Sequence, residues 1–181
     1  MAREGGVEGK ERRSSQRNWE QNVTILKGNG SSVIKKQYNA INRMNKSAIL
    51  DGFTITGGTG SIGSVESLTT GGGIHNEYAS PTINNCIIEN CSAQVAGGIG
   101  NNYSSPRISN TIIRNNRATG YDGGGVTVTR DSYVEFMNVE ILNNSAAKAG
   151  GAIYVGDANV SITNSELRGN RANLGGGAFS N

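Results

Sequence analysis

From about residue 71 onward, short apolar runs alternate with Gly and Asn, and the pattern recurs. Residues 71–93 read GGGIHNEYASPTINNCIIENCSA, and the next stretch reads AGGIGNNYSSPRISNTIIRNNRA. Two looser copies follow. The apolar residue after each Gly pair is Ile74, Ile99, Val126, Ile153 and then Phe179, at steps of 25, 27, 27 and 26. Further columns hold Ile83/Ile108/Phe136/Ile162, Asn85/Asn110/Asn138/Asn164, Ile88/Ile113/Ile141/Leu167 and Ala93/Ala118/Ala146/Ala172. A repeat in the twenties points to stacked units, either leucine-rich repeats or coils of a parallel β-helix.

The residue types decide between the two. The framework is Ile, Val, Gly, Asn and Ala, with few Leu. Its apolar runs are short and β-branched, such as Ile87-Ile88 and Val126-Thr127-Val128-Thr129. Runs of that kind between Gly and Asn are strands and turns. Nothing in the repeats sustains helical spacing over several turns. Each copy is therefore read as one coil of an all-β solenoid of 25–27 residues with three short strands. These begin at the Gly-Gly-Ile site, at the Ile83 column and at the Ile88 column. Coils stacked at about 4.8 Å place like residues above one another. Ile fills the interior. The Asn85/Asn110/Asn138/Asn164 and Asn90/Asn115/Asn143 columns take the turns, where stacked amides bond one coil to the next. The Gly pairs suit turns of positive φ.

The Gly-Gly-Ala-Ile start followed by Ile-x-Asn-x-x-Ile-x-x-Asn-x-x-Ala resembles the right-handed, single-stranded parallel β-helix of pectin-lyase-like proteins. It is most similar to the polymorphic-outer-membrane-protein-like repeats of bacterial surface proteins. The resemblance covers residues 48–181. Segments 5–11, 16–26 and 50–58 also resemble the N-terminal coils of such proteins. It implies a secreted or surface-exposed protein, and it implies the fold far more than any activity, because one coil type serves lyases, hydrolases and adhesins.

Two regions follow: an irregular segment with the first strands, 1–47, and the coils, 48–181. Residues 34–47 are read as a loop or short helix over the N-terminal end of the core. Residues 59–70 lengthen one coil and are read as a flexible surface loop. The chain starts with a charged stretch rather than a signal peptide and holds no run of about 20 apolar residues, so no membrane span is expected. Gly175-Gly176-Gly177-Ala178-Phe179 opens a further coil. The expectation is a piece of a longer protein, its last strand edge open to missing repeats or another chain.

Net charge is only +3, with 17 Lys and Arg against 14 Asp and Glu. No basic stripe carries interleaved aromatics, so nucleic acid is not an expected partner. Gly is abundant, at 27 residues, and falls at the repeat turns.

Candidate chemistry is sparse. Cys86 shares a column with Thr111, Val139 and Ser165 and is read as inward. Cys91 shares one with Asn116, Asn144 and Asn170 and is read as a turn residue; both are expected reduced. No further ligands accompany them, so no metal and no cofactor are expected. The single histidine, His75, follows the inward Ile74 and is expected to face outward without a catalytic role. Glu140 and Glu166 share an outward column, with Arg114 and Arg168 two positions along. The Asp and Arg patterns of pectate lyases and polygalacturonases are not recognisable. Thr-x-Thr occurs at Thr54–Thr56 and Thr127–Thr129, but intervening coils break the array an ice-binding face would need.

The positions that break the repeat hold the remaining candidates. Tyr78 precedes Ala-Ser-Pro and Tyr103 precedes Ser-Ser-Pro, so the two should stack, with Tyr121 and Tyr154 on the same side. Exposed aromatic rings can receive sugar rings. Asp122, Arg130, Asp131 and Asp157 lie near the first strand and, in an enzyme, would converge with Tyr121. The expected function is a non-catalytic structural or adhesive module, with a polysaccharide or a host or cell-surface component as partner. The alternative is a polysaccharide lyase or hydrolase, or a remnant of one.

Overall fold

The computed structural model describes residues 3–4, 23–37, 48–62 and 68–181. They form a parallel β-solenoid. Every repeat column found above is a register column. Ile74 pairs with Ile99, Ile99 with Val126, Val126 with Ile153 and Ile153 with Phe179. The Ile83, Ile88 and Ala93 columns align the same way.

The three expected strands per coil are present, and a two-residue fourth closes each of the four coils from Ile74 onward. In the second coil they are Ile74–Glu77, Thr82–Asn84, Ile87–Glu89 and Ser92–Ala93. Stacking yields three sheets of six strands and one of four. The Ala column thus marks a strand of its own, too short to show alternation in the sequence.

Upstream, Thr24–Lys27 pairs with Phe53–Thr56, and Ile34–Gln37 pairs with Ile74–Glu77. Residues 34–37, expected in a loop or helix, are therefore a strand. Its Ile34 packs against the core just as Ile74 does one coil later. The expected coils within 5–11 and 16–22, and the rest of the 34–47 segment, lie outside the described residues. Residues 59–70 also differ from expectation. Their described ends, Ser61–Ile62 and Thr69–Thr70, pair as an antiparallel hairpin. No helix among the described residues is long and apolar enough to cross a membrane.

The core is a column of stacked side chains: Ile55, Ile74, Ile83, Ile88, Ile99, Ile108, Ile113, Phe136, Ile141 and Ile153 are all fully buried. A chain that turns so sharply buries backbone N–H groups at its corners, and each needs an acceptor. The next coil supplies it. At one corner Ser104 and Ser132 hydroxyls accept from Ala79 N–H and Ser104 N–H. At the next, Thr111 and Ser165 accept from Cys86 and Val139. At the third, the Oδ1 atoms of Asn116, Asn144 and Asn170 accept from Cys91, Asn116 and Asn144 at 2.9–3.0 Å.

This third set is an interior amide ladder. Asn116 and Asn144 are buried, and each Nδ2 donates to the next amide and to a carbonyl one coil back, Ile88 or Ile113. The Cys91 column is therefore inward rather than a turn position. The residues just before it, Asn90, Asn115 and Asn143, take the left-handed turn, with φ of 53–55°. Asn tolerates that region better than other side chains. Their side chains do not form the amide ladder expected of them. The outer ladder that does form links Asn138 to Asn110 and Asn110 to Asn84.

The Gly pairs divide two tasks. Gly71, Gly123 and Gly150 have φ of 60–71°, and Ala96 takes the same conformation in its coil. The following glycine is needed for space. A Cβ on Gly124 would lie 2.4 Å from Gly151 O.

The buried ladder predicts unequal costs for neighbouring asparagines. Asn144→Ala strands two donors and two acceptors in the core and lowers stability by about 2–4 kcal/mol. Asn143→Gly, at the exposed left-handed turn, changes it by less than about 1 kcal/mol. Urea unfolding of both variants measures the contrast.

Candidate functional site

The outward face of the first sheet carries two side-chain columns. One is His75/Gly100/Thr127/Tyr154, and the other is Glu77/Asn102/Thr129/Gly156. On a solenoid such a face would ordinarily meet solvent. Here the hairpin folds back over it: Thr70 pairs with Val95, and a Cβ on Gly100 would sit 2.6 Å from Thr70 Oγ1. The missing side chain at Gly100 is what lets the hairpin approach. His75, expected outside, is fully buried, as is Glu77 beside it.

Further along the same face lies an open cleft of about 310 Å³, near the lower end of the range for ligand pockets. Thr127, Thr129 and Asn102 form its floor. Tyr154 stands on one side, its ring edge lying 3.1 Å from where a Gly156 Cβ would be. Tyr121, Asp122, Arg130, Leu68, Thr70 and Val95 complete its lining. The repeat explains this placement only in part. The 120–122 turn belongs to the coil entering Val126, and stacking sets it against Lys148 and Ala149 one coil on. Lys148 then reaches back to set its ammonium 4.0 Å from the Tyr121 ring centre, a cation–π contact. Leu68, Thr70, Val95 and Lys148 were not legible as site residues. The signal for Leu68 and Thr70 is the length of the 59–70 insertion, which gives chain enough to cross a face; Val95 joins by pairing with Thr70 and Lys148 by its contact with Tyr121.

The remaining candidates separate. Tyr78 and Tyr103 stack as expected, ring centres 4.7 Å apart and planes within 3°. They continue as one ladder with Arg130 and Asp157, all four at left-handed φ of 49–57°. The expected convergence of Asp122, Arg130, Asp131 and Asp157 on Tyr121 is only half met. Tyr121, Asp122 and Arg130 share the cleft, whereas Asp131 is exposed outside it and Asp157 borders a separate hollow with Phe179 and Asn181. The physical reason is the stacking: Asp157 follows Arg130 in the same column but one coil further on, and Asp131 is the next residue round the exposed corner. Asp122 is also committed, since its Oδ1 accepts from Ala149 N–H at 2.9 Å. The cleft thus holds one carboxylate already bonded to the scaffold, and the two-carboxylate arrangement of glycoside hydrolysis is not assembled among its lining residues.

The other charged columns are surface pairs. Glu140 and Glu166 are in register and exposed, and Glu166 accepts from Arg168 at 2.6 Å. Glu89 pairs with Arg114 at 2.8 Å and Glu135 with Arg107 at 2.6 Å. Among the described residues no group of three or more His, Cys, Asp or Glu is placed to hold a metal ion.

Both cysteines are free and buried. Burial pushes the Cys86 thiol from its ordinary 9.0 up to about 11, with weaker opposing help from backbone groups of Phe53 and Gly52. Burial raises Cys91 as well. A thiol held protonated in this way is a poor nucleophile.

No family model, curated protein or solved structure matches the chain. The fold and its ladders define the class: an all-β parallel solenoid protein.

A raised thiol pKa makes stability depend on pH. The folded state keeps its proton longer than the unfolded chain, so the Cys86 contribution is complete below about pH 9 and is lost as pH rises through about 11. Chemical denaturation across that window should show the parent losing up to about 2–3 kcal/mol relative to Cys86→Val, which carries the residue found at Val139 in the same column. Ellman's reagent at pH 8 should leave both thiols unmodified until the chain unfolds.

Proposed function

We propose that the chain is a non-catalytic structural or adhesive module of a secreted or cell-surface bacterial protein, and that its aromatic cleft binds glycan. The observation that carries this reading is the presence of two aromatic rings, Tyr121 and Tyr154, in one cleft with Asn102, Thr127 and Thr129. Aromatic walls suit the apolar face of a sugar ring, and floor hydroxyls and amides suit its hydroxyl groups. The cleft is open, which fits a chain segment of a polysaccharide or of a host or cell-surface glycan. The repeat resemblance, to the right-handed pectin-lyase-like class and its polymorphic-outer-membrane-protein-like members, supports the surface location.

The alternative, a polysaccharide lyase or hydrolase, draws on Asp122 and Arg130 standing in the same cleft. The backbone bond to Ala149 weakens it, since the carboxylate is already serving the turn.

A glycan array followed by titration of any hit tests both. Tyr154→Ala should weaken binding about tenfold, the loss of a ring–ring or stacking contact of about 1.4 kcal/mol. The bound glycan should be recovered intact after prolonged incubation. Absence of any hit removes the binding reading. Cleavage that Asp122→Asn abolishes replaces it with the enzyme.

A further inference from the structure

The ladder asparagines are held on both sides. At the Asn144-Ser145 step the Asn144 amide donates to Ile113 O and Asn170 Oδ1, and the next N–H, that of Ser145, donates to Asn116 O at 2.9 Å. Asn29 is placed in the opposite way. It lies in the bend between Thr24–Lys27 and Ile34–Gln37 and begins the only Asn-Gly step in the sequence. Asn29, Gly30 and Ser31 are all exposed. Gly30 has a φ of 83°, and a Cβ built on it would meet nothing within 4 Å. The bend is fastened on either side of this tip. Gly28 N–H donates to Thr56 O at 2.8 Å, and Thr59 N–H donates to Ser31 O at 2.9 Å. Among the described residues nothing bonds to the Asn29 amide or to the Gly30 N–H.

Two conditions decide whether an asparagine is attacked by its own backbone. The nitrogen of the next residue must reach the side-chain Cγ, which a following side chain obstructs and a glycine permits. That nitrogen must also be free to lose its proton, which a ladder hydrogen bond prevents. Asn29 meets both conditions, and Asn144 meets neither.

We infer that Asn29-Gly30 is a site of self-catalysed covalent modification, with water as the only co-reactant. The Gly30 nitrogen gives up its proton and bonds to Asn29 Cγ. The Cγ–NH2 bond breaks, and ammonia leaves with a proton, closing a five-membered succinimide. Water then opens the ring at one of its two carbonyls. Opening at Cγ leaves an aspartyl residue at position 29. Opening at the main-chain carbonyl leaves an isoaspartyl residue, with the backbone running through the side-chain carbon. No oxidant or reductant is needed. Either product adds one negative charge to the exposed bend, and the open space around Gly30 takes up the longer isoaspartyl backbone. The site shares no residue with the aromatic cleft and does not depend on glycan binding.

The test incubates the full chain at pH 8.5 and 37 °C and follows its tryptic peptides by mass spectrometry. The peptide from Gly28 to Lys35 should be the first to exchange NH2 for OH, in two chromatographically separate forms. In the folded chain Asn29 should convert at least about tenfold faster than Asn144. In urea, with the ladder gone, Asn144 should begin to convert, while the Asn29 rate stays within about threefold of its folded value because the bend offers no protection to lose. Gly30→Ala should slow conversion of Asn29 about tenfold or more. Equal folded-state rates at Asn29 and Asn144 overturn the inference. So does an unchanged rate in Gly30→Ala, because the Gly30 nitrogen would then not be the attacking group. Alanine is strained at this positive φ, so the variant's fold is checked by circular dichroism. If it does not fold, the parent alone decides: an Asn29 rate that rises about tenfold on unfolding overturns the inference, since the bend would then be shielding the step.

Discussion

Everything in this molecule depends on one constraint: a backbone that turns three or four times per coil must find acceptors for N–H groups trapped at the corners. The solution is taken from the next coil. At each corner an inward Ser, Thr or Asn oxygen accepts the N–H of the residue directly beneath it. The Asn corner does most, because an amide can accept with one atom and donate with the other. Asn116 Nδ2 closes onto Ile88 O and Asn144 Nδ2 onto Ile113 O, so one side chain joins three consecutive coils. A slip of one residue would place these amides outside and leave the corners unpaired. The ladder therefore fixes register as well as contributing stability.

With the interior so determined, difference between coils is confined to outward positions. The column His75/Gly100/Thr127/Tyr154 shows the result. Gly100 admits the hairpin, Thr127 floors the cleft, and Tyr154 walls it. Four unlike residues at one repeat position build a site that no single coil contains.

The fold was legible because register and repeat are the same thing in a solenoid. Ile74, Ile99, Val126 and Ile153 align in sequence and touch in space. What the repeat did not reveal is which of two adjacent polar residues turns inward. Asn115 and Asn116 look alike in sequence; only the left-handed φ of the first sends the second into the core. The burial of His75 was hidden for another reason. Strand alternation places it outside correctly, but the 59–70 insertion, which has no repeat counterpart, folds back over that face and sets Thr70 against Gly100 in the same column. The aromatic cleft was half legible. Tyr121, Asp122 and Arg130 stood out by breaking the pattern and Tyr154 was read on the same side, whereas Lys148 and Val95 join them only through stacking and chain reversal.

Native-state hydrogen exchange at single-residue resolution tests the account most directly. If the interior amide ladder holds the coils in register, the N–H groups of Cys91, Asn116 and Asn144 exchange only through global unfolding, and they are the slowest in the chain together with the Ile88 and Ile113 strand amides. The amides of the outer turns, such as those of Asn90 and Asn115, exchange faster. If Cys91, Asn116 and Asn144 exchange as readily as those turns, through local opening, the ladder is not what holds the solenoid together.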